Sequence, residues 1–305
     1  MLLHGVRNWL GPPTSLAGAT PPVGRDGCAP AVLPAVVPPL RSWSAARIDL
    51  SEQLWGEGFL FPGGAEETLR LARPLGLTGE ASLLLLGAGS GGPPRAIASQ
   101  LGVWVTGFEA DPELAALAAE RCIRARLGRR AQVEMWYPQA PSLRVQAYHH
   151  GLALEPLRHA RPEPVLSALT AALRPSGQLV MVELVADEPL DPADPIVAAW
   201  CRLERRSAEL PTERAVTRMF GRLGFDVRIA EDISDRHVQL AMTGWGGLLR
   251  GLHDRPSPAA AALLVSEAEL WLLRLRLMRE GRMRLVRWHT LGKRRSAIDS
   301  RGGPA

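Results

Sequence analysis

The chain has 305 residues, of which 46% are hydrophobic and 22% charged, and its formal net charge is +5. This composition is typical of a soluble globular protein with one large domain, or one domain plus additions, and the chain is long enough for a buried core. The modest positive charge favours neither nucleic acid nor an anionic membrane surface as a partner. No uninterrupted apolar run approaches the ~18 residues of a membrane-spanning helix.

Three cysteines, Cys28, Cys122 and Cys201, lie far apart and form neither a zinc-binding spacing nor an even-numbered disulfide framework. A reducing compartment is therefore expected, and the N-terminus lacks the basic flank and long apolar core of a secretory signal. The sequence predicts a cytoplasmic protein without a bound metal.

Three regions differ in composition. Residues 1–42 are rich in proline and alanine, which disfavours helices and strands, and we predict that they are disordered. Residues 43–293 carry the periodic apolar patterns of a folded domain, with a helical insertion at about 235–280 before the last strand. Residues 294–305 are polar and predict a flexible tail.

Helix-like and strand-like patterns alternate within the folded domain. Predicted helices begin near residues 45, 65, 93, 111, 162, 195, 212, 235 and 258. Predicted strands begin near residues 83, 103, 131, 145, 178, 225 and 283. Asp111 is expected to cap the fourth helix, with Pro112 in its first turn and Gly128 at its end, and the fifth helix is expected to end at Pro175. This alternation predicts a parallel sheet with helices on both faces.

The stretch from Leu83 to Glu109 has the features of half a nucleotide-binding unit. An apolar strand runs into a glycine-rich turn, and the helix and strand that follow end in Glu109. Glycines let the backbone turn sharply and approach a ligand closely, and a helix N-terminus adds unpaired N–H groups. A carboxylate at the end of the second strand is placed to accept the hydroxyls of a ribose. The stretch therefore predicts a nucleoside cofactor.

Several stretches together resemble the class I S-adenosylmethionine-dependent methyltransferases, in particular small-molecule members such as the phosphoethanolamine and sarcosine methyltransferases. The stretches are LLLLGAGSGG, GFEADPELAALAAERC, LRPSGQLVMVELV and the aromatic segment WGEGFLFPGG before the first strand. The resemblance covers about residues 55–293. It implies an α/β fold with a seven-stranded, mostly parallel Rossmann-like sheet, helices on both faces and an antiparallel last strand.

The resemblance also implies that S-adenosyl-L-methionine is the cofactor and that a methyl group passes to an N or O atom of a small molecule. The expected cofactor-binding residues are Gly87, Ala88, Gly89, Gly91, Glu109, Ala110 and Gln139. Gln139 is included because it follows the third strand, where the family places an aspartate that contacts adenine. No nucleic-acid substrate is expected, because no motif or module of such enzymes is recognisable. The sequence does not indicate an oligomeric state.

Two alternatives stay open. An NAD(P)-dependent oxidoreductase would use the glycines from Gly87 to Gly92 as its G-x-G-x-x-G motif, with Glu109 about 20 residues further on. The helix that opens directly after Glu109 favours the methyltransferase pattern. Leu85 stands where family members carry an acid, and His149 stands where an aspartate is frequent. A non-catalytic protein that keeps the fold as a binding or scaffolding module is the second alternative.

The predicted end of the fourth strand, AYHHGLALEPLRHA, supplies the candidate catalytic residues His149, His150 and Glu155. Methyl transfer is an in-line displacement, so positioning supplies much of the rate, and a base is needed only where the acceptor must lose a proton. A histidine at this strand end would be that base, although a local hydrogen-bonding role is the commoner use. Glu155 would bind substrate or cap the next helix.

Candidate substrate-binding residues are Trp55, Phe59, Tyr148 and His159. The aromatic rings of the first two would cover a cationic group, although packing against the sheet is their commoner role. Asp232 and His237 follow the sixth strand, where the family places substrate-facing groups, and Ser234 or Asp235 would cap the helix that starts there. Arginines at positions 274, 276, 279, 282, 284 and 287 would support weak peripheral contact with a membrane. We favour a solvated helix face and an exposed strand edge for them.

Overall fold

The computed structural model describes residues 43–253 and 256–293, so the predicted segments 1–42 and 294–305 lie outside the described residues. The strands are β1 Ser82–Leu86, β2 Trp104–Glu109, β3 Ala131–Met135, β4 Tyr148–Leu154, β5 Leu173–Val185, β6 Phe225–Asp232 and β7 Arg284–Gly292. They form one sheet in the order β3-β2-β1-β4-β5-β7-β6. The pairings from β3 to β5 are parallel, and β7 runs antiparallel between β5 and β6. The predicted mostly parallel sheet with an antiparallel last strand is confirmed.

The helices in the described residues are α1 Ala45–Trp55, α2 Gly64–Ala72, α3 Gly92–Leu101, α4 Pro112–Arg124, α5 Pro162–Ala172, α6 Pro195–Glu204, α7 Glu213–Arg222, α8 Ser234–Gly251 and α9 Pro258–Arg279. None of them is long and apolar enough to cross a bilayer. The described residues also contain no group of histidine, cysteine and acidic side chains arranged to hold a metal ion.

Strand β1 lies inside the sheet between β2 and β4, and Leu83 to Leu86 are fully buried. Leu83 and Leu85 belong to an apolar cluster with residues of α3, α6 and α9, whereas Leu84 and Leu86 belong to a cluster with residues of α5 and α7. A strand that is covered on both faces requires a continuous apolar run, and that is why LLLL precedes the glycine turn. Leu85, which replaces the acid of the family pattern, is a core residue.

The ends of two helices test the capping predictions. Asp111 caps α4 as predicted, because its Oδ1 accepts hydrogen bonds from the backbone N–H groups of Glu113 and Leu114 at 3.0 and 3.2 Å. The helix ends at Arg124 rather than at Gly128, since Arg126 already has a left-handed φ of 59°. Helix α5 ends at Ala172 rather than at the predicted proline, because β5 begins at the next residue and pairs with β4.

Helices α1, α8 and α9 pack on one another beside the carboxyl ends of the central strands. The rings of Trp55 and Trp271 meet edge to face with centroids 5.1 Å apart, and Ala241 is buried in the same cluster. Gly244 of α8 lies so close to the Trp55 ring that a Cβ atom there would overlap it. The helical insertion predicted before the last strand is thus part of one helical cap together with the first helix.

Glu52 ties this helical cap to the glycine turn. Its carboxylate accepts a hydrogen bond of 2.8 Å from the Ser90 hydroxyl and forms an ion pair with Arg121 of α4. The backbones of Gly58 and Gly92 also touch, with a hydrogen bond of 2.9 Å from the Gly92 N–H to the Gly58 carbonyl. A Cβ at Gly92 would lie 2.6 Å from the Gly58 carbonyl carbon, so both positions require glycine.

Candidate active site

A cavity of about 210 Å³ lies between the helical cap and the carboxyl ends of β1, β2 and β4. This edge of an open parallel sheet is the usual place for a ligand. One part of the lining comes from the glycine turn, the end of β2 and the residue after β3, and we call it the turn side; it contains Gly87, Gly89, Glu109, Ala110 and Trp136. The opposite part, which we call the network side, contains Phe61, Glu155, His159, Glu204, His237, Leu240, Leu270, Trp271 and Arg274.

Two glycines give the turn side its shape. Gly87 has a φ of 84°, and a Cβ there would lie 2.7 Å from the Leu154 carbonyl oxygen at the end of β4. Gly89 has a φ of 57°, and its N–H donates a hydrogen bond of 2.8 Å to Oε2 of Glu109. The turn therefore brings bare backbone to the cavity wall, where a side chain would clash or strain the main chain.

Glu109 is the acidic group of the turn side. Its Oε1 accepts hydrogen bonds from the N–H groups of Ala110 and Asp111 at 2.9 and 3.2 Å, in addition to the Gly89 contact on Oε2. Burial raises the pKa of Glu109 to about 7, although the three N–H donors favour the ionised form. A carboxylate held by three backbone donors has a fixed direction, and its remaining acceptor capacity points to the cavity that it lines.

Buried ion pairs build the network side. Arg274 of α9 pairs with Glu155, which follows β4, and also with Glu204 of α6, at 3.3 Å. Arg158 reaches Glu204 at 2.5 Å, and Arg206 lies 3.7 Å from Glu155. Although burial alone would raise it, the three arginine charges lower the pKa of Glu155 to about 2. Glu155 is therefore ionised at physiological pH and held in place by its partners.

Two histidines line the network side as neutral rings. Burial, with a smaller effect of the Arg274 charge, lowers the pKa of His237 to about 3. The ring of His237 packs against that of Trp271, with centroids 5.8 Å apart. Burial and the charges of Arg158 and Arg206 lower the pKa of His159 to about 4. Both imidazoles can therefore accept a hydrogen bond at neutral pH.

The comparisons with known proteins agree with this architecture. No protein-family model matches the chain. The chain is 24% identical to phosphoethanolamine N-methyltransferase 1 of Zea mays over 192 residues. This matched region covers 62% of this chain and 37% of that relative. The structure of Haemonchus contortus phosphoethanolamine N-methyltransferase 2, in complex with phosphomonomethylethanolamine and S-adenosylhomocysteine, superposes with a TM-score of 0.70 at 16% identity, over 81% of this chain and 57% of that chain. A putative sarcosine dimethylglycine methyltransferase from Galdieria sulphuraria superposes with a TM-score of 0.69 at 14% identity, over 81% and 98% of the two chains.

The chain has the Rossmann-like methyltransferase fold. The implied fold class is thus confirmed, and the cavity lies where open α/β sheets bind ligands. The chain spans only 31% to 38% of the length of the curated relatives that it matches. Fold alone does not determine function, which depends on the residues of the site.

The methyltransferase fold places the histidine pair away from the cavity. We predicted that His149 and His150 lie at the carboxyl end of the fourth strand, and this was wrong, because β4 begins at Tyr148. Nδ1 of His149 contacts Ser82 at the start of β1, 3.0 Å from its backbone N–H, and Nε2 lies 2.6 Å from the Arg174 guanidinium. Tyr148 is buried at the same far end of the strand and likewise does not line the cavity. The strand continues from the histidines through the apolar residues GLAL to Leu154, so the histidines lie at its amino end.

Three further predicted contact residues lie outside the cavity lining. Trp55 and Phe59 are buried in the cluster between α1, α8 and α9 and do not line the cavity, whereas the rings of Phe61 and Trp271 line its network side. Gln139 is exposed, and its Nε2 donates a hydrogen bond of 3.0 Å to the His159 carbonyl rather than facing the turn side.

Two predicted cofactor-binding residues of the glycine turn, Ala88 and Gly91, have structural positions outside the cavity lining. Ala88 is fully buried, and Gly91 caps α3 in a left-handed conformation with a φ of 99°. Neither residue lines the cavity, whereas Gly87, Gly89, Glu109 and Ala110 do.

Arg274 has a role that we did not predict from its local sequence context. We interpreted the C-terminal arginines as a solvated face, but Arg274 is 4% exposed and is the centre of the ion pairs on the network side. Its spacing contained the necessary signal, because Trp271 and Met278, three residues before it and four after it, are buried on the same face of α9. The predicted caps of α8 also differ, since Ser234 Oγ accepts the Leu285 N–H at 2.9 Å and Asp232 accepts the Ser234 N–H.

Proposed function

We propose that the protein is an S-adenosyl-L-methionine-dependent methyltransferase that acts on an N or O atom of a small molecule. The position of Glu109 is the observation that carries this proposal. Glu109 is a carboxylate at the end of β2, it lines the cavity, and a glycine turn with bare backbone lies beside it. This arrangement suits a nucleoside whose ribose hydroxyls donate hydrogen bonds to the Glu109 carboxylate and whose remaining part lies against the backbone of the glycine turn.

The residues of the turn side fit such a cofactor. A carboxylate offers about four acceptor positions, of which the N–H groups of Gly89, Ala110 and Asp111 occupy three, so Oε2 of Glu109 retains one for a ribose hydroxyl. The Trp136 side chain provides an apolar wall beside Glu109 for a nucleobase. When bound, the cofactor supplies a methyl group activated on a sulfonium.

The network side would hold the methyl acceptor. Glu155 is fixed by Arg274 and remains ionised, so it anchors the wall of the cavity instead of exchanging protons. His159 is neutral and lines the cavity near Glu155, where it would take a proton from an acceptor O–H or N–H. A pKa of about 4 makes His159 a weak base, and positioning of the acceptor is therefore the larger contribution.

Titration calorimetry with S-adenosylhomocysteine tests this function. We expect micromolar binding by the full chain and a loss of at least tenfold in Glu109→Ala, because charge-assisted hydrogen bonds contribute about 1.5–3 kcal/mol each. Glu113→Ala is the matched control, since Glu113 is an exposed acid in the first turn of α4, and its affinity should stay within twofold. Absence of binding at millimolar ligand would refute the proposal, and binding of NADH instead would favour an oxidoreductase.

Transfer of a labelled methyl group separates an enzyme from a non-catalytic binding protein. The full chain is incubated with cofactor labelled in the methyl group and a mixture of small amines and alcohols. Label that appears in a small molecule, and that disappears in Glu109→Ala, supports catalysis. Binding of S-adenosylhomocysteine without any transfer would support the non-catalytic alternative.

A further inference from the structure

The charged groups that face the network side from α1 and α2 are neutralised within the protein. Arg47 of α1 pairs with Glu267 of α9 through two contacts, at 2.9 and 3.4 Å. Glu67 of α2 accepts hydrogen bonds from Arg70 at 2.6 Å and from Arg236 at 2.8 Å. Arg47, Glu67 and Glu267 line the cavity, and the charge of each is compensated by an ion-pair partner within the chain.

The charged groups near the end of β4 are neutralised in the same way. Arg274 pairs with both Glu155 and Glu204, and Arg158 also pairs with Glu204. These side chains come from three separate parts of the chain, and Glu204 and Arg274 are almost completely buried. Breaking such a pair leaves a charge buried without compensation, so a ligand gains little by competing for it.

Both ionic classes of acceptor therefore meet no uncompensated charge on the network side. Within the described residues, Oε2 of Glu155 and Nε of Arg158 and Arg274 are buried without a hydrogen-bond partner, but each of these side chains is ion-paired, with Oε2 of Glu155 at 3.7 Å from Arg206. A phosphate-bearing acceptor requires cationic donors, and the arginines that line this part of the cavity are paired with carboxylates. A cationic amine requires a carboxylate or an open aromatic face. The face of Trp271 carries the Arg274 guanidinium at 5.4 Å, and its edge meets Trp55.

The uncharged groups on the network side define a different ligand. Leu240 and Leu270 provide apolar surface together with the ring of Phe61. His237 and Trp271, both 8% exposed, line the same cavity, and within the described residues Nε2 of His237 and Nε1 of Trp271 are buried without a hydrogen-bond partner. Buried polar nitrogens usually find a partner, and leaving one unpaired costs about 1–3 kcal/mol.

A hydroxyl matches this pair of nitrogens. The indole N–H of Trp271 only donates, whereas a neutral imidazole also accepts, and a hydroxyl is able to accept from the first and donate to the second. We infer that the acceptor is an uncharged, largely apolar molecule whose hydroxyl binds between His237 and Trp271. This inference rests on the proposed methyltransferase function and specifies its substrate class. It also separates this chain from its relatives that are named for phosphoethanolamine.

Four probes with one ring system test the inference: 1-naphthol, 1-naphthyl phosphate, 1-naphthylmethylamine and naphthalene. Each is titrated calorimetrically into the full chain saturated with S-adenosylhomocysteine. We expect 1-naphthol to bind at least tenfold more tightly than each of the other three. Equal or tighter binding of the phosphate or the amine would overturn the inference, and so would absence of 1-naphthol binding at 1 mM.

Variants of His237 test the hydroxyl contact. His237→Phe keeps an aromatic ring but removes the acceptor, so we expect 1-naphthol to bind about tenfold more weakly and naphthalene to bind within twofold of the unmodified chain. His237→Gln keeps an acceptor and should restore most of the lost affinity. An unchanged S-adenosylhomocysteine affinity shows that each variant is folded. If the unmodified chain fails to bind S-adenosylhomocysteine, the proposed function fails, and the inference that rests on it fails with it.

Discussion

The two sides of the cavity are built in opposite ways. Apart from Trp136, the turn side comes from one short stretch, Gly87 to Asp111, and presents mostly backbone N–H groups around Glu109. The network side is assembled from side chains, and its central pair, Arg274 and Glu155, is separated by 119 residues in the sequence. The turn side therefore depends on local conformation, whereas the network side depends on the complete tertiary structure.

The largest expected effect concerns the network side. Arg274→Met leaves Glu155 and Glu204 buried without their shared partner, and we expect the free energy of unfolding to fall by about 3–5 kcal/mol. Arg276→Met is the control, because Arg276 is exposed on the same helix and pairs with Glu280 only one turn away, so its loss should cost less than about 0.5 kcal/mol. Urea denaturation measures both, and equal effects would contradict a buried network.

On the turn side, Gly87→Ala is expected to destabilise the fold by about 2–3 kcal/mol. The new Cβ would lie 2.7 Å from the Leu154 carbonyl oxygen, on a backbone with a φ of 84°. Gly221→Ala is the matched control, since no atom lies within 4 Å of its added Cβ and its φ is not positive, and it should stabilise α7 by up to about 1 kcal/mol. Thermal unfolding with and without S-adenosylhomocysteine compares the two variants, and a Gly87→Ala protein as stable as the unmodified chain would show that the turn is not constrained.

The buried neutral histidine makes stability depend on pH. His237 has a folded pKa of about 3, below the ordinary 6.5, so protonation favours the unfolded chain and stability is lost as the pH falls below about 6.5. Between pH 7 and pH 5 the unmodified chain should lose about 2 kcal/mol more than His237→Phe. Urea denaturation at the two pH values measures this difference, and parallel losses in both proteins would mean that His237 is not buried as a neutral ring.

The smallest expected effect belongs to Gln139. Its amide binds the His159 carbonyl and does not face the turn side, so Gln139→Ala should change the affinity for S-adenosylhomocysteine by less than twofold. Calorimetry measures it beside Glu109→Ala. A tenfold loss of S-adenosylhomocysteine affinity in Gln139→Ala would instead support the adenine contact that the sequence suggested.

The difference between the two sides also explains what the sequence reveals. The glycine turn and Glu109 are recognisable because a strand, a sharp turn and a terminal acid follow one another within a single local pattern. The apolar run of β1 similarly indicates a strand buried on both faces. Local spacing determines these features and the alternation of strands and helices, whereas the seven-stranded sheet with its antiparallel last strand was implied by the resemblance to the methyltransferases.

Arg274 and His149 show where local spacing fails. An arginine between leucines is usually solvated, and only its partners Glu155 and Glu204, far away in sequence, make burial of Arg274 favourable. For His149 the residue type suggested chemistry, but the position of the strand decides which end of the sheet the side chain occupies. Both depend on tertiary placement, which residue type alone does not reveal.

Hydrogen–deuterium exchange on adding S-adenosylhomocysteine tests the central claim most directly, namely that the turn side holds the cofactor. We expect slower exchange in residues 87–92 and 109–111, where the N–H groups of Gly89 and Ala110 surround the Glu109 carboxylate. Residues 148–150, at the opposite end of β4, should exchange at an unchanged rate. Protection at residues 148–150 without any at residues 87–92 would contradict this account.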